Sequence, residues 1–556
     1  MPIKIEELQI LQQLKTSADN VRSQFEPTWK TIARSIDPSE LRMLEPSKPG
    51  EASMQDFNKM YDTTGLESSV LFADGLQAYA CGRSLDWFRI QPEDKDLVKT
   101  DKQKEYFQNC ERHMMNQLNR SNFYDCCSAF FERGANFATA IMLRLEDVNH
   151  ERPMYVNLPL ANCSLMANRY NEVDTLFRTF WLPVSEAVQE YGIDRLPSAE
   201  TNEWQLSPNK LIQFNEYCGP VGRCKLSIEG DGAYCNVIWC QSDTTHTVIE
   251  ELLDSKPFFV WRYRNDPNGT PYGVKAPGWI YSPASRQLQS QLSDSIRISQ
   301  LQGRPPIKAT RGLEVNFTPN GLTEVGPGED FQPQSVTGDM SAMIDSISRF
   351  QAQIRSGYYV DFFLALMSHI DQTKTASEAY LLQDEKSAIM STFFSKLASD
   401  FIEPLLEDLW ASEIKYGRLP QAPPELQDIN VRIDFKSPLA SQQRRAHALS
   451  PTKQWLSEML QIAQAAPSVT DVLNLDEYAR MSGEYYEVDQ RVMNSQKVVD
   501  KTRQAELQAQ AQQQSMENQI SQAQAGADVY AKTSKAPEKG SQAEQTVQQA
   551  NNQGGR

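Results

Sequence analysis

The sequence predicts an α+β protein in which helices predominate. Three observations support that class: apolar residues recur every three or four positions over long stretches, short strand-like runs fill residues 87 to 251, and Ser-Pro steps mark helix starts in the second half. At 556 residues the chain has room for roughly three to four domains. Its content of 40% hydrophobic and 23% charged residues is typical of a globular protein.

Two helices are predicted before residue 87. The first covers residues 4 to 36, is broken by Asp37-Pro38, and has these apolar residues at helical spacing: Ile5, Leu8, Leu11, Leu14, Val21, Phe25 and Trp29. The second lies within residues 61 to 80 and would place these residues on one side: Leu66, Val70, Ala73, Leu76 and Ala80.

Between Trp87 and about Glu251 the sequence alternates strand-like and helical stretches. The strand-like runs are "WFRIQP", "AIMLRLED", "MYVNLPL", "TLFRTFWLP" and "YCNVIWC". Helical stretches such as "SNFYDCCSAFFERGANF" separate them. This half of the chain is therefore predicted to be α+β.

A pair of long helices is predicted next. Ser282-Pro283 offers a capping hydroxyl before a proline at the first helical position, so a helix is expected to start there. Leu288, Leu292 and Ile296 then form a narrow stripe that suits packing against one neighbour. Asp339 can cap a second helix, which could run antiparallel to the first and has this stripe: Met343, Ile347, Phe350, Ile354 and Tyr358.

The stretch "GRPPIKATRGLEVNFTPNGLTEVGPG", residues 303 to 328, separates these two helices. Its glycine and prolines stop the first helix because proline removes a donor and restricts the preceding residue. Asn320-Gly321 accepts the positive φ angles of a tight turn, so a hairpin is predicted between the flanking runs of Val315 with Phe317 and Leu322 with Val325. An irregular surface loop is the alternative.

The rest of the chain is predicted to be helical. Thr375 and Glu378 form a capping box that opens a run to about Tyr416, in which Pro404 predicts a kink near Asp400 and Phe401. Shorter helices are expected after two further Ser-Pro steps, at residues 437–438 and 450–451. The Gln/Ala-rich end is predicted to be helical only when paired and disordered after about residue 533, with a linker or tag remnant as the alternative.

Charge and composition restrict the function. The net charge of −17 disfavours a tight, sequence-independent grip on a phosphate backbone by the surface as a whole. Nine cysteines without a paired spacing indicate free thiols in a reducing compartment. The first residues lack the apolar run of a signal peptide, and no run of 18 apolar residues occurs. We therefore expect use or assembly in a cytoplasm, without a membrane.

Catalytic motifs are absent from the sequence: it contains no GxxxxGK[ST], HExxH, GxSxG, CxxC or EF-hand loop. The five histidines stand far apart, and surface or core roles are expected for them: His113, His150, His246, His369 and His447. One cysteine group leaves a zinc site, and with it a metal-dependent enzyme, as an alternative: Cys218, Cys224, Cys235 and Cys240. Neither an enzyme nor a cofactor is the main prediction.

The order of these parts resembles the portal protein, or head-to-tail connector, of short-tailed double-stranded DNA phages. The resemblance covers nearly the whole chain. Its carriers are the "SIDP" break, "YDTTGLESSVLFADGLQAYACGRSLDWFRIQP", "YGVKAPGWIYSPASRQL", "RPPIKA", "TASEAYLLQDEK" and "SPLASQQRRA" before the Gln/Ala-rich end. Their order and spacing together are more specific than any one of them.

The resemblance implies a phage portal fold assembled as a ring, commonly of twelve copies, at one capsid vertex. It implies these regions: wing 1–282, stem helix 283–302, clip 303–338, second stem helix and return to the wing 339–366, tunnel loop 367–377, kinked spine helix and wing 378–436, crown 437–490, C-terminal barrel helix 491–532 and disordered tail 533–556. The helices would form a channel wall, and the inserted strands would let neighbouring clips pair.

The resemblance also assigns roles to residues and partners. The DNA-facing tunnel loop would include His369, Gln372, Thr373, Lys374 and Thr375. The clip residues that dock partners would be Arg304, Lys308, Arg311, Phe317, Asn320 and Gly321, although solvated charge is the alternative for the basic ones.

The implied partners are other copies of the chain, the major capsid and scaffolding proteins, the terminase large subunit, tail adaptor and nozzle proteins, internal core proteins and double-stranded DNA. The motor would be a separate ATPase, and the protein would reside in the virion after assembly in the host cytoplasm. A helical virion scaffold or internal core protein is a second alternative to the portal.

Overall fold

The structure is a computed structural model. It describes residues 3–44, 60–92, 101–147, 150–202, 205–311 except 225, 229, 231 and 244, then 314, 316, 323–328, 331–334, 340–367, 393–424, 431–436, 452–459, 461–463, 472, 474–485, 494 and 496–533. The chain divides into two compact units, one of residues 1–99 with 106–457 and one of residues 100–105 with 458–556.

The first unit contains most of the helices and all of the strands of the described chain. Its helices are α1 Ile5–Ser35, α2 Thr64–Ala80, α3 Asp101–Arg120 (from residue 106 on), α4 Phe123–Phe137, α5 Val184–Tyr191, α6 Ser198–Thr201, α7 Val221–Cys224, α8 Pro277–Gly303, α9 Met340–Gly357, α10 Val360–Met367 and α11 Glu403–Lys415. A 3₁₀ segment, Pro38–Leu44, follows α1 because Asp37-Pro38 breaks that helix.

The strands form four antiparallel arrangements. They are β1 Phe88–Pro92, β2 Thr139–Asp147, β3 Arg152–Asn157, β4 Cys163–Ala167, β5 Val173–Pro183, β6 Leu211–Pro220, β7 Tyr234–Cys240, β8 Thr247–Leu253, β9 Phe258–Arg262, β10 Ile307–Ala309, β11 Phe331–Pro333 and β12 Val431–Phe435. The largest sheet has the order β4-β5-β6-β7-β8, and a second has the order β3-β2-β9. Two further pairs join β1 to β12 and β10 to β11.

Three hydrophobic cores hold the first unit together. The largest is rich in aromatic side chains and centres on Phe401, whose ring lies 4.3 Å from that of Phe130 between centroids. A second core packs the start of α1 on the five-stranded sheet, with Phe177 and Tyr217 side by side, and a third packs α5 on the same sheet. Burial of this much apolar surface supplies the main driving force for folding.

Most helices and strands of the first 262 residues were predictable from the spacing of their apolar residues. The structure confirms the two N-terminal helices, the helix at residues 123–137 and the five strand-like runs. It adds four strands that were not predicted, namely β4, β6, β8 and β9. In β9, Phe258–Arg262, all five residues are buried, so no alternation of apolar and polar residues marks that strand.

The start of α8 was predicted wrongly. The helix begins at Pro277, six residues before Pro283, which lies inside it. Pro277 occupies the first helical position, where its missing amide hydrogen costs nothing. Ser282 therefore does not cap α8; it is buried and its hydroxyl lies 3.0 Å from the hydroxyl of Ser35 on α1.

Two further predictions require correction. The rest of the fold is not wholly helical, because β12 pairs with β1. At the centre of this pair Ile90 lies opposite Ile433, 343 residues later in the sequence. The predicted apolar side of α2 is also wrong in part, since Val70 is exposed while Gly65, Ser68 and Phe72 are buried. Small residues face the core there because neighbouring helices approach closely.

The helix that contains Pro404 has a wider turn, with a different hydrogen-bond spacing, just before the proline. Residues Ala398–Ile402 form a π-helical turn, and the Glu403 amide donates to the carbonyl oxygen of Ala398, five residues back. Pro404 is the second residue of α11. Proline cannot donate to the carbonyl of residue 400, so a wider turn at this point avoids an unpaired acceptor.

The second unit consists of helices in its described part. Helix α12, Leu475–Tyr485, and helix α13, Gln496–Thr533, are joined by an ion pair in which Arg503 Nη1 lies 2.5 Å from Asp476 Oδ2. No helix in the described ranges of either unit is long and apolar enough to span a membrane. The predicted capping box at Thr375 and Glu378, the cap at Asp339 and the Ser-Pro steps at 437–438 and 450–451 lie outside the described residues.

Candidate functional site: the α8–α9 hairpin

Helices α8 and α9 form an antiparallel hairpin. Three contacts establish the register: Tyr281 packs on Gly357, Gln291 Nε2 donates to Ser346 Oγ over 3.1 Å, and Ser295 Oγ lies 3.6 Å from Met340 Sδ. As the residue number rises along α8, that of its partner on α9 falls. The prediction that the two helices could run antiparallel is confirmed.

The base of the hairpin is embedded in the largest core. Leu288, Ile354 and Tyr358 are buried there. A Cβ on Gly278 would lie 2.4 Å from the Asn136 carbonyl oxygen, and one on Gly357 would lie 2.0 Å from Tyr281 Cε2. Only glycine permits these approaches, so the base is fitted closely to α4 and to its own partner helix.

Polar contacts fix the base to α1 as well. Ser285 Oγ donates to the Ser35 carbonyl oxygen over 2.6 Å, at the C-terminal end of α1. Tyr358 Oη donates to Asn136 Oδ1 over 2.7 Å, so that α9 is joined to α4. Because these groups are buried, each bond also avoids the cost of an unpaired polar atom.

Asp62, just before α2, links both helices of the hairpin. Gln289 Oε1 accepts from the amides of Tyr61 and Asp62 at 2.7 and 3.0 Å, and Gln289 Nε2 donates to the Asp62 carbonyl oxygen at 2.7 Å. Gln351 Nε2 donates to Asp62 Oδ2 over 2.8 Å. The other carboxylate oxygen accepts from the Thr64 amide at 2.9 Å and so starts α2. We name Asp62, Gln289 and Gln351 the latch.

Buried acidic groups lie beside the base. Burial, with the nearby Asp37 carboxylate as the next contribution, raises the pKa of Glu132 to about 7. Burial also raises the pKa of Glu40 above its usual range, against the opposing effect of Arg133. The phenol of Tyr358, buried and close to Glu132, has its pKa raised well above the usual value. The carboxyl of Glu132 therefore titrates near neutral pH.

The distal half of the hairpin, residues 289–303 and 340–350, contains no buried residue. Leu292, Ile347 and Phe350 are half-buried where the two helices face each other, whereas Ile296 is exposed. The predicted stripe of α8 is therefore buried at its start and uncovered at its end. A helical pair without a core of its own is typical of an element completed by a neighbour.

The tip of the hairpin carries three predicted docking residues. Arg304, Lys308 and Arg311 are all exposed and lie within the eight residues that follow α8. Lys308 stands in β10, opposite Gln332 of β11, and the Gln334 amide donates to the Pro306 carbonyl oxygen over 2.8 Å. Among the described tip residues, β10 and β11 are the strands that pair.

Phe317, Asn320 and Gly321 lie outside the described residues, as does the whole predicted tunnel loop: His369, Gln372, Thr373, Lys374 and Thr375. Val325, from the predicted second strand, is exposed and not in a strand. The hairpin around Asn320 and the loop around Lys374 remain predictions.

The cysteines of the zinc alternative belong to different cores. Cys218 lies in the largest core, Cys224 and Cys235 lie in the core beneath α1, and Cys240 lies in the core beneath α5. Burial raises the pKa of Cys235 and of Cys240 to about 12, which disfavours the thiolate that binds metal. Within the described parts of the chain no group of three metal-ligating side chains converges.

Three histidines have carboxylate partners that the sequence did not reveal. His113 Nε2 lies 2.7 Å from the buried Glu413, which also accepts from Arg418 Nη1 at 3.1 Å. His150 and His246 pair with aspartates three residues earlier in sequence. His369 and His447 lie outside the described residues.

Sequence reasoning missed the latch. Asp62 followed by Thr64 is a local signal, because an aspartate two residues before a helical amide can cap the helix. Gln289 and Gln351 gave no signal, since glutamine at an exposed helical position is common and their common partner is more than 220 residues away from each of them.

The described residues thus present a helical hairpin that is anchored at its base and exposed at its tip. The chain belongs to the family of bacteriophage head to tail connecting proteins, whose model matches residues 8–493. Members of this family are structural components of the virion, and head-to-tail connection is the function that membership assigns.

Two relatives extend that assignment along most of the chain. The portal protein of Salmonella phage epsilon15 is 23% identical over 494 residues, covering 86% of this chain and 87% of the relative. The probable portal protein of Bordetella phage BPP-1 is 23% identical over 540 residues, covering 94% and 93%. The resemblance to portal proteins of short-tailed phages is thereby confirmed.

Solved structures of gene transfer agent particles give weaker matches. A chain of the neck of an empty particle has a TM-score of 0.31 and 9% identity, covering 72% of this chain and 89% of that one. A chain of the native virion has a TM-score of 0.31 and 10% identity, covering 74% and 88%. Similarity at this level carries no argument about assembly.

Proposed function

We propose that the chain forms a ring-shaped channel at one capsid vertex, through which double-stranded DNA is packaged and later ejected. The α8–α9 hairpin is the stem, the segment between its helices is the clip, and residues 367–377 are a tunnel loop facing DNA. The observation that carries the proposal is the contrast along the hairpin: its base is buried in its own subunit, while its distal half has no buried residue.

The charge balance supports passage of DNA rather than retention. With a net charge of −17 per chain, a ring of such chains repels the phosphate backbone at long range. Local cations such as Arg304, Lys308 and Arg311 at the tip are exposed and available to acidic partner surfaces. We infer that the tip docks the terminase large subunit first and a tail adaptor later, and that the ATPase activity resides in the former.

The native mass of the purified protein tests the ring. We expect light scattering after size exclusion to give a mass near twelve times 63.1 kDa, with rings that have a central hole in electron micrographs of the same peak. Removal of residues 533–556 should leave these rings intact. A protein that stays monomeric at high concentration, in the presence of capsid and scaffolding proteins, would refute the proposal.

A second experiment tests the clip. Phe317→Asp should weaken ring closure or motor docking in a subunit that remains folded, because it places a charge in the inserted segment. Packaging and assembly at wild-type levels would show that this segment lies at no interface.

A further inference from the structure

Helix α3 packs on the first unit through an apolar face. Four side chains that recur every three or four residues are buried in the largest core: Phe107, Cys110, Met114 and Leu118. His113, next to Met114, reaches α11 instead, where its Nε2 atom lies 2.7 Å from Glu413 Oε2. A histidine thus supplies a polar contact between α3 and α11.

Glu413 belongs to a buried network of ion pairs. Arg418, just after α11, binds Glu413 over 3.1 Å and also binds Glu146 of β2. Arg144 of the same strand binds Glu146 over 3.1 Å and binds Asp408 of α11. The side chains of these five residues are at most 12% exposed, so their charges have been taken out of water.

The charges of this network do not balance without His113. Three carboxylates face two guanidinium groups, which leaves one negative charge uncompensated. A buried charge without a partner is costly, because the interior cannot replace the water that solvates it. A protonated His113 would supply the missing positive charge, and its Nε2 would still donate to Glu413, since both ring nitrogens of an imidazolium are donors.

The other groups that face His113 leave this balance unchanged. A cavity of about 530 Å³ adjoins the ring, and besides Arg418 its charged lining residues are Arg120, two turns further along α3, and Glu151, in the β2–β3 turn. Both are exposed, and their charges are opposite in sign. The side chain of His113 is 26% exposed, so the ring can exchange a proton with water. The remaining lining residues carry no charge: Gln117, Tyr416 and Gly417.

We propose that His113 is a proton-dependent clamp between α3 and α11. In acid, the imidazolium neutralises the buried network and forms an ion pair with Glu413. As the pH rises the ring loses this proton, and what remains is a hydrogen bond from a neutral donor beside an uncompensated carboxylate. Histidine is the side chain suited to such a change between pH 5 and pH 8. The contact is therefore stronger in acid and weaker as the pH rises, and it does not depend on the proposed ring.

Hydrogen exchange of the full-length chain tests the clamp. His113→Gln keeps an N–H donor for Glu413 but cannot take up a proton. After correction for the intrinsic pH dependence of exchange, peptides from residues 106–120 should open about tenfold more often in this variant than in the wild type at pH 5. At pH 8 the two proteins should agree within about twofold, because a neutral imidazole and an amide are comparable donors.

His150→Gln and His246→Gln are matched controls. Each of these histidines also lies beside an aspartate, at 2.7 and 3.1 Å, but their side chains are 67% and 80% exposed. Water screens such pairs, so neither substitution should change the exchange of α3 at either pH.

Glu413→Gln tests the charge balance itself. It leaves two carboxylates for two guanidinium groups, so the network no longer requires a proton on His113. In this background, adding His113→Gln should not change the pH dependence of exchange in α3. If Glu413→Gln does not fold, the comparison of His113→Gln with the two controls at both pH values is sufficient.

Two results would overturn the clamp. Acceleration of α3 by the same factor at pH 5 and pH 8 would mean that His113 is only a structural donor, and absence of acceleration at both would mean that its contact with Glu413 does not hold α3. A pH-dependent effect of His113→Gln that persists in the Glu413→Gln background would overturn it as well, because the proton would then act on another group.

Discussion

The two halves of the α8–α9 hairpin are built from similar helical periods but differ in what surrounds them. At the base, Leu288, Ile354 and Tyr358 are buried and polar contacts join the hairpin to three other elements. In the distal half, Ile296 and Ile344 occupy comparable positions and are exposed. The same apolar residue type therefore stabilises the subunit in one half and is available for association in the other.

The largest expected effect is a difference in stability between two substitutions, each of which truncates an apolar side chain of α8, one in the base and one in the distal half. Leu288→Ala, at a fully buried site, should lower the free energy of unfolding of the subunit by about 3 kcal/mol, because it removes apolar burial and leaves a cavity. Ile296→Ala, at an exposed site, should change it by less than about 0.5 kcal/mol.

Urea unfolding at a protein concentration too low for assembly measures both values. Equal destabilisation by the two substitutions would show that the distal half is packed within its own subunit, and the contrast between the halves would fail.

The acidic groups at the base should make the free energy of unfolding depend on pH, with an effect smaller than that of Leu288→Ala. The pKa of Glu132 is raised to about 7, so the stability that its protonated form contributes is present at low pH and is lost as the pH rises towards and through 7. Glu132→Gln should therefore raise the free energy of unfolding at pH 8 by about 1 to 2 kcal/mol and leave it nearly unchanged at pH 4.

Ser69 gives a matched test of the same group. Its hydroxyl donates to Glu132 Oε1 over 3.1 Å and lowers the pKa of that carboxyl, so Ser69→Ala should move the loss of stability to higher pH. Thermal unfolding from pH 4 to 9 measures both variants. A Glu132→Gln profile parallel to that of the wild type would mean that Glu132 does not titrate in this range.

The latch should have the smallest effect on stability and the most local one. Gln289→Ala removes three hydrogen bonds to residues 61–62, and since these bonds are partly exposed we expect the free energy of unfolding to fall by about 1 kcal/mol. Hydrogen exchange should accelerate in the base of α8 and at the start of α2. Gln291→Ala, which removes the two hydrogen bonds between Gln291 and Ser346 of α9, is the control and should leave α2 unaffected.

The sequence predicted the helices of this hairpin but not which of their apolar residues the subunit itself buries. Period alone identified the stripes Leu288 to Ile296 and Met343 to Tyr358, because a helical face repeats every three or four residues whatever covers it. Whether a residue of such a stripe is buried depends on the elements that pack on it, and these are far away in sequence. Ser282 is an example. The local Ser-Pro pattern predicted that it caps a helix, but its hydroxyl instead lies next to that of Ser35, 247 residues earlier in the sequence.

Strands and polar contacts were harder to predict for related reasons. β9 has five consecutive buried residues, so its sequence lacks the alternation that marks a half-exposed strand. β12 was assigned to a helical region because its partner, β1, lies 343 residues away along the chain. Family resemblance identified the connector class from the order of segments, whereas Asp62, Gln289 and Gln351 could be found only from coordinates.

The π-helical turn at Ala398–Ile402 explains a spacing that an α-helix alone could not maintain. Leu397, Phe401, Leu405 and Leu409 follow one another at intervals of four, and all four are fully buried. In a regular α-helix each interval of four overshoots a full turn by about 40°, so such a series winds away from the core. One wide turn cancels that overshoot. The turn therefore acts as a phase correction, equivalent to a single inserted residue, and a relative that lacks one residue here would keep its core contacts only by abandoning the strict interval of four.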